Sequence, residues 1–205
     1  MNKIYQKIWQ LAKPYYLKGR SMDIDHIEWF METAQMVCDI EGLDDTLLLP
    51  LAILHDVGYS KVKDVGTANY YDTNIREAHM QAGRDITIEI LKQVNYPPDK
   101  IERIAHMVAI HDNWAFGEVE IYVNDPVLGT FKDLDYLWIF TEKGCLAIQK
   151  VLGKNDTEML EHLRNEASPI GGKKPYSNAT THRLHDEYLA AREIELTANT
   201  NPEIR

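Results

Sequence analysis

Residues 47–59 read LLLPLAILHDVGY, an apolar run that ends on His55 and Asp56. An imidazole and a carboxylate at the end of a buried helix are costly to desolvate unless another group satisfies them. A divalent cation does so, because histidine nitrogen and aspartate oxygen are good ligands for zinc, manganese or iron. Gly58 suits a left-handed turn at the helix C-terminus. For the dipeptide alone, the more common interpretation is structural, with His55 capping a helix and Asp56 starting a loop.

The composition predicts one globular domain. The chain has 205 residues, of which 44% are hydrophobic and 26% are charged, and a domain of this size buries about 70% of its unfolded surface. Its net charge of −10 argues against binding duplex nucleic acid, because no basic stripe is available to replace counterions. An anionic small substrate is still compatible, since a bound metal reverses the local sign of the charge.

The cysteines and the N-terminus bear on the compartment. Cys38 and Cys145 both fall in apolar helical surroundings, which predicts two reduced, buried thiols. Residues 1–19 lack the continuous apolar core of a signal peptide, and no run of 18 apolar residues would span a membrane. These features predict a cytoplasmic protein with no membrane partner. The oligomeric state stays open, with a homodimer as one option.

Apolar residues recur at helical spacing along most of the chain, and no two segments have the alternation and turn residues of a β-hairpin. The sequence therefore predicts an all-α, single-domain multi-helix bundle over residues 1–205, in which Asp23 or Asp25 caps the second helix. Helices are predicted at about residues 2–18, 23–41, 44–56, 75–94, 98–111, 126–144, 145–152, 156–164 and 179–196.

Two segments between the predicted helices lack sustained periodicity. Residues 57–74 form an irregular loop directly after the His-Asp pair, and long loops in compact domains tend to be functional, so this one is a lid candidate. Aromatic residues of this loop and of residues 113–124, such as Tyr59 and Trp114, could stack on a base or pack beneath a loop.

A set of inward-facing polar side chains lies near helix ends or on apolar helical faces, where each is costly to bury without a cation or a donor. The set consists of His26, His55, Asp56, His79, His111 and Asp135, from five helices. Four imidazoles and two carboxylates suit two metal ions that share one site, with Asp56 as the bridge. One ion would take His26, His55 and Asp135, and the other would take His79 and His111. For His26 alone, a core histidine bonded to a backbone carbonyl is an equal alternative.

The His-Asp dipeptide is weak evidence by itself, because it recurs at His111-Asp112 and at His185-Asp186. The second repeat lies in a charged amphipathic segment, where we predict a solvated face. His106, off the apolar stripe of its helix, is predicted to be a partly exposed structural residue. The chain contains no GxSxG, GxxxxGK[ST] or strand-linked GxGxxG motif, so no other catalytic machinery competes with the metal interpretation.

The order His26, His55-Asp56, Asp135 resembles the HD-domain superfamily of metal-dependent phosphohydrolases, whose pattern is His, His-Asp and Asp on separate helices. Short sequence segments are similar too. LAILHDVGY resembles the superfamily's defining signature, and DLDYL resembles the segment with the closing acid. AHMQAG and AIHDN resemble the segments of members that bind a second metal. The resemblance covers residues 22–140, and it implies an HD-type bundle on which the C-terminal helices, residues 145–196, pack.

The resemblance implies a metal role for His26, His55, Asp56 and Asp135, and a second-metal role for His79 and His111. Asp133 is the alternative closing acid, although the helical face favours Asp135. The cofactor would be one or two divalent ions, drawn from manganese, iron, cobalt, nickel, zinc and magnesium.

The activity implied by the resemblance is hydrolysis of a phosphomonoester or phosphoanhydride, in a nucleotide or another small phosphorylated metabolite, by a metal-bound hydroxide. Asp56 would act as a catalytic ligand, and Arg76 and Lys61 are the first candidates for the cation that orients the substrate. For each of these two cations a solvated surface position is the stronger alternative. Two other functions remain open: a di-iron oxygenase of the same fold, and a non-catalytic domain that senses a nucleotide.

Overall fold

The structure is a computed structural model that describes residues 2–62, 72–167 and 176–200. These residues form α-helices and short 3-10 helices and include no strand, so the all-α prediction is confirmed. The α-helices are α1 Lys3–Lys18, α2 Asp23–Glu41, α3 Asp45–Leu54, α4 Thr73–Gln93, α5 Pro98–Ile110, α6 Glu120–Asn124, α7 Pro126–Leu137, α8 Glu142–Leu152, α9 Asp156–Ala167 and α10 Ala179–Thr200. The 3-10 helices are Val57–Lys61, Asn113–Phe116 and Trp138–Phe140. None of the helices described is long and apolar enough to cross a membrane.

A side chain caps the start of α3, whereas none caps the start of α2. Asp44 caps α3, with its carboxylate accepting the N–H of Thr46 at 3.0 Å. By contrast, Met22 precedes α2 and provides no side-chain cap, so the predicted cap at Asp23 or Asp25 is wrong. Both aspartates lie in the first turn of α2 instead, where a negative charge interacts favourably with the helix dipole.

The chain divides into two compact units, residues 1–132 and residues 133–205. The first unit is built around α3, in which every residue from Leu47 to Leu54 is buried. Helices α1, α2 and α5 pack against α3, and the hydroxyl of Tyr16 on α1 donates to the carbonyl of Ile53 at 2.9 Å. A helix that is apolar all round needs neighbours on every side, which explains why the LLLPLAIL run occupies the centre of this unit.

Gly58 allows a close contact between two backbones. A Cβ atom there would lie 1.8 Å from the carbonyl oxygen of His79 and 2.6 Å from the amide nitrogen of Gly83, both on α4. Gly58 is not among the described residues with positive φ, so the predicted left-handed turn is wrong. The glycine instead lets the 3-10 helix Val57–Lys61 pack directly on α4, and this positions the turn after His55 and Asp56.

The lid prediction for residues 57–74 is only partly addressed. Its first five residues form the 3-10 helix Val57–Lys61, of which Val57, Gly58, Tyr59 and Ser60 are buried, so this portion is ordered structure and not an irregular loop. Helix α4 begins at Thr73. The remaining part of the predicted lid, residues 63–71, lies outside the described residues.

The second unit contains α8, α9, α10 and the 3-10 helix Trp138–Phe140, with α9 packed against α10. His185 on α10 is only 8% exposed, and its ring packs edge-on against Phe140, with a 5.0 Å separation of the ring centroids. The predicted solvated face is therefore wrong for His185, although the side chain of its neighbour Asp186 is 66% exposed. Whether the two units make up the single domain predicted from the sequence stays a prediction.

Candidate metal centre

Five predicted ligands belong to the first unit, and its helices bring them together. His55 and Asp56 directly follow α3, His26 lies in the first turn of α2, His79 lies on α4, and His111 ends α5. All four imidazoles are buried. The ring centroids of His26 and His55 are 5.6 Å apart, those of His55 and His111 are 5.2 Å apart, and those of His79 and His111 are 5.0 Å apart.

The tightest part of this cluster is formed by Asp56, His79 and His111. Oδ1 of Asp56 lies 3.3 Å from Nε2 of His79 and 3.4 Å from Nε2 of His111, and the two Nε2 atoms are 3.2 Å apart. Ligand atoms bound to one tetrahedral ion at about 2.0–2.2 Å lie about 3.3–3.6 Å from one another. The three atoms therefore have the spacing expected of ligands to a single ion.

Backbone hydrogen bonds determine which ring nitrogen of His79 and of His111 carries the lone pair. Nδ1 of His111 lies 2.8 Å from the carbonyl oxygen of Val108, and Nδ1 of His79 lies 3.3 Å from that of Ile75. A carbonyl only accepts, so in the neutral rings Nδ1 carries the hydrogen and Nε2 carries a lone pair. Ligating histidines are held by such backbone contacts in many metal sites.

This tautomer assignment makes the site electrostatically unfavourable without a positive charge. Two imidazole lone pairs and one carboxylate oxygen face one another at 3.2–3.4 Å, and three acceptors at these distances repel each other. A proton or a cation relieves the repulsion, and Asp56, His79 and His111 are one of the described groups that could hold a metal ion. The residues present thus fit a divalent metal.

Asp56 also faces His55 through its second oxygen. Oδ2 of Asp56 lies 3.4 Å from Nε2 of His55, whose Nδ1 lies 3.0 Å from the carbonyl oxygen of Ala52. The carboxylate therefore directs one oxygen at His79 and His111 and the other at His55. This is the arrangement that a bridging ligand between two ions requires.

The pKa values of the cluster reflect burial and mutual contact. Burial opposes ionisation of Asp56, but His55, His111 and His79 together hold its pKa well below the ordinary value. For His79 burial dominates and lowers the pKa. Burial acts in the same direction on His111, yet Asp112 and Asp56 outweigh it and raise the pKa. Asp56 is therefore an anion at neutral pH, as a ligand must be.

The pKa of the His26 imidazole is strongly lowered. Burial lowers its pKa to about 3, His55 and Arg20 act in the same direction, and Asp56 partly opposes them. The ring is consequently neutral throughout the physiological range and has a lone pair to offer. The core-histidine alternative would also keep the ring neutral, so the pKa does not separate the two interpretations.

The stability of the metal-free protein should fall as the pH is lowered from 6.5 to 4. His26 has a folded-state pKa of about 3 against about 6.5 when unfolded, so in this range the unfolded chain binds a proton that the folded chain does not. Each such histidine removes up to about 1.4 kcal/mol of unfolding free energy per pH unit. Urea denaturation of EDTA-treated protein at pH 7, 6, 5 and 4.5 measures the slope.

A matched pair of variants tests whether His26 causes this pH dependence of the unfolding free energy. His26→Gln should flatten it by about one proton, whereas His106→Gln, at a position that is exposed, should leave it unchanged. His111, whose pKa is raised, contributes with the opposite sign, since its stabilisation is complete below pH 6.5 and is lost as the pH rises through the folded value. Equal slopes for wild type and His26→Gln would show that His26 titrates normally.

The two candidate closing acids, Asp133 and Asp135, belong to the second unit. Oδ2 of Asp133 accepts hydrogen bonds from the amide of Ser177 at 2.6 Å and from the hydroxyl of Thr181 at 2.9 Å. These contacts account for the buried carboxylate of Asp133 within its own unit. Asp135 lies one helical turn after Phe131 on α7, so it shares the face of that residue; its role as a ligand stays a prediction.

Arg76 and Lys61, the predicted substrate-orienting cations, have contrasting surroundings. Nη1 of Arg76 lies 2.7 Å from Oδ2 of Asp112, and both residues are buried. The guanidinium also lies over the ring of Trp114, 5.0 Å from its centroid. The solvated surface position considered for Arg76 is therefore wrong, and its role in orienting a substrate stays a prediction. Lys61 is exposed at the end of its 3-10 helix.

Two aromatic rings pack against the histidines: that of Phe131, which was not predicted as part of the site, and that of Tyr59, which was predicted to stack on a base or to pack beneath a loop. The ring of Tyr59 stacks on that of His79, with centroids 4.0 Å apart and planes 5° apart. The ring of Phe131 packs edge-on against His55 and His111, at 5.1 and 5.8 Å. Phe131 had a sequence signal, its place on the apolar face of α7, whereas Tyr59 was assigned to an irregular loop.

Tyr122 fixes the backbone at the end of α5. Its hydroxyl shares one hydrogen between the carbonyl oxygens of Ile110 at 3.0 Å and His111 at 2.9 Å, and its oxygen accepts the amide N–H of Trp114 at 3.1 Å. The residue is buried on α6, a five-residue helix. No sequence pattern signals this role, because it depends on how α6 returns to the end of α5.

The family model for the HD domain matches residues 23–167, a range that contains all six predicted ligands and runs from the first unit into the second. No curated protein and no solved structure gave a match. Because the model covers well over half of the sequence and the cluster of histidines and aspartate has the spacing of metal ligands, the chain belongs to the HD domain family, whose members are generally metal-dependent phosphohydrolases.

Proposed function

We propose that this protein is a metal-dependent phosphohydrolase that cleaves a phosphomonoester or phosphoanhydride bond in a small phosphorylated substrate such as a nucleotide. The proposal depends above all on one observation, the convergence of the Asp56 carboxylate with the Nε2 atoms of His79 and His111 at 3.2–3.4 Å. The family to which the chain belongs supports the same reaction class.

In this proposal, His79 and His111 would hold one ion, His26, His55 and Asp135 would hold the other, and Asp56 would be a ligand of both. Divalent ions at such a site lower the pKa of water and neutralise the charge of phosphoryl oxygens. The chain itself contributes the fixed orientation of the ligands: backbone carbonyls of Ala52, Ile75 and Val108 set the tautomers of three histidines. A preorganised site of this kind needs little rearrangement on binding.

The first test measures phosphate release by protein reconstituted separately with manganese, iron, cobalt, nickel, zinc or magnesium. The substrates are phosphomonoesters and nucleoside mono-, di- and triphosphates. We expect metal-dependent release of phosphate that is abolished by EDTA. Substituting His111 by alanine should lower turnover by at least about 100-fold, because removal even of groups that only support a ligand weakens metal binding or activity by about 10–100-fold.

His106→Ala is the matched control, since His106 lies on the same helix, α5, and is exposed; it should retain wild-type turnover. Two results would contradict the proposal and point to the other functions considered from the sequence. Oxygen consumption by the iron-loaded protein without phosphate release would indicate an oxygenase. Thermal stabilisation by a nucleotide without any product would indicate a sensing domain.

A further inference from the structure

A buried ion pair connects α4 to the end of α5, next to the histidine that each of these helices provides. Nη1 of Arg76 on α4 lies 2.7 Å from Oδ2 of Asp112, the residue directly after His111, and both members of the pair are buried. Arg76 precedes His79 by three residues on α4, which is about one helical turn. The pair therefore links the turn of α4 that carries His79 to the end of α5 that carries His111.

The carboxylate of Asp112 lies close to the metal cluster without belonging to it. Its Oδ2 is 3.9 Å from Nε2 of His79, whereas Oδ1 of Asp56 is 3.3 Å from the same nitrogen. The group of mutually close ligand atoms at this position consists of Asp56, His79 and His111 and does not include Asp112. Asp112 is thus a neighbour of the candidate ligands and, in this arrangement, not a ligand itself.

A second contact joins Asp112 to α4. Its backbone N–H donates to Sδ of Met80 at 3.4 Å, and Met80 directly follows His79 in the sequence. On α4 the two partners of Asp112, Arg76 and Met80, therefore lie on either side of His79 in the sequence. This double attachment restricts how far the end of α5 can move relative to the turn of α4 that carries His79.

The histidines at this junction need such a restriction. Nε2 of His79 and Nε2 of His111 are 3.2 Å apart, and both carry lone pairs, so without a cation they repel each other and the carboxylate of Asp56. This repulsion acts to separate α4 from the end of α5. Separating a buried ion pair leaves two desolvated charges without partners, which is strongly unfavourable. The contact of Arg76 with Asp112 therefore opposes the separation of the two imidazoles.

We propose that Arg76 and Asp112 are positioning residues for the metal ion held by His79 and His111, because their ion pair keeps the two imidazoles at ligand spacing before the ion binds. The inference rests on the metal assignment within the proposed function and deepens it. Arg76 acts here through His79, a role separate from orienting a substrate. Residues that orient metal ligands typically contribute about 10- to 100-fold to metal affinity, and the same range is expected for this pair.

The test is a titration of the metal-stripped protein with manganese. Calorimetry measures the affinity of each binding step, and EPR distinguishes isolated manganese from ions that share a ligand and are magnetically coupled. The step that is missing in His111→Ala identifies the ion held by His79 and His111. Arg76→Met and Asp112→Asn should each weaken this step by about 10- to 100-fold and leave the other step unchanged. At limiting manganese the coupled signal should give way to that of isolated ions.

The two single variants separate positioning from a simple effect of charge, because they change the local charge in opposite directions. Arg76→Met removes a positive charge and Asp112→Asn removes a negative one, so electrostatics alone would strengthen manganese binding in the first and weaken it in the second. Loss of positioning weakens binding in both. Arg76→Lys keeps the charge and should lose less affinity than Arg76→Met.

A double variant removes the pair without leaving a buried charge. Combining Arg76→Met with Asp112→Leu replaces the two ions by apolar side chains, an exchange that folded proteins often tolerate. It should melt near the wild-type temperature, yet bind the ion of His79 and His111 about 10- to 100-fold more weakly, because the directional link between α4 and α5 is lost. Melting temperatures are recorded for every variant.

Arg103→Met is the matched control. Nη2 of Arg103 on α5 lies 3.1 Å from Oδ2 of Asp125, but the arginine side chain is 51% exposed, so this variant should bind manganese like the wild type. Opposite effects of the two single variants would overturn the inference. So would wild-type affinity in the double variant, a single bound ion in the wild type, or loss of both ions together with the fold. If the pair has the expected effect but the wild type hydrolyses no phosphate ester, the proposed function alone fails.

Discussion

Asp56→Asn should leave the purified protein with a small fraction of the wild-type metal content. Asp56 contributes one oxygen near His79 and His111 and the other near His55, so the substitution removes a ligand from both predicted ions at once. An amide keeps the shape of the carboxylate but not its charge, and the shift of the Asp56 pKa well below its ordinary value shows how strongly the surroundings favour that charge. We expect at least about a 100-fold loss of metal affinity, more than removal of a supporting residue produces.

Elemental analysis of protein purified from one growth medium, followed by titration of the stripped protein with manganese and zinc, measures this loss. Asp186→Asn is the matched control, because it changes the second residue of another His-Asp pair whose aspartate is exposed. It should retain the wild-type metal content. Undiminished metal in Asp56→Asn would exclude Asp56 as a ligand and, with it, the binuclear arrangement.

The positions of the histidines in the first unit were predictable because helical periodicity determines which side of a helix a residue occupies. His79 and His111 each follow the apolar stripe of their own helix, and a stripe must face the core. Once α4 and α5 pack on the same centre, their inward polar groups have to converge. The all-α fold follows from the same pattern, which long amphipathic segments display strongly.

Helical periodicity does not predict which residues of different segments contact each other. The ion pair of Arg76 with Asp112 joins residues 36 positions apart, and periodicity gives no information on which polar residues of two helices meet. His185 was placed on a solvated face because its sequence neighbours are charged, yet the ring packs against Phe140 and Tyr176. Local composition describes the average exposure of a segment, whereas burial of one side chain depends on the neighbouring element.

Gly58 illustrates a third limit of prediction from sequence. The need for a glycine there was predicted, but it was attributed to the wrong cause. A glycine after a helix commonly marks a left-handed turn, and at Gly42 the structure has one, with φ of 68°. At Gly58 the constraint comes from another helix, because its Cα faces the carbonyl oxygen of His79. A close approach of two backbones and a positive φ both favour glycine. A glycine in the sequence therefore does not tell which of the two constraints acts at its position.

This distinction gives a second large effect: Gly58→Ala should destabilise the protein by about 3 kcal/mol or more, at the upper end of the range for overpacking. The new methyl group would lie 1.8 Å from the carbonyl oxygen of His79, and a helix backbone cannot rotate away as a side chain can. The 3-10 helix Val57–Lys61 must then separate from α4, which displaces Asp56 from His79. Urea denaturation with and without bound manganese measures both consequences, since the metal should stabilise the variant less than the wild type.

Gly42→Ala is the matched control for this substitution. A Cβ atom on Gly42 meets nothing within 4 Å, but the backbone there has a φ of 68°, so alanine should cost about 1–2 kcal/mol through conformational strain alone. Its manganese affinity should equal that of the wild type, because Gly42 ends α2 far along the chain from His26. If Gly58→Ala were no more destabilising than Gly42→Ala and bound manganese equally well, the contact between the 3-10 helix and α4 would not be what holds Asp56 beside His79.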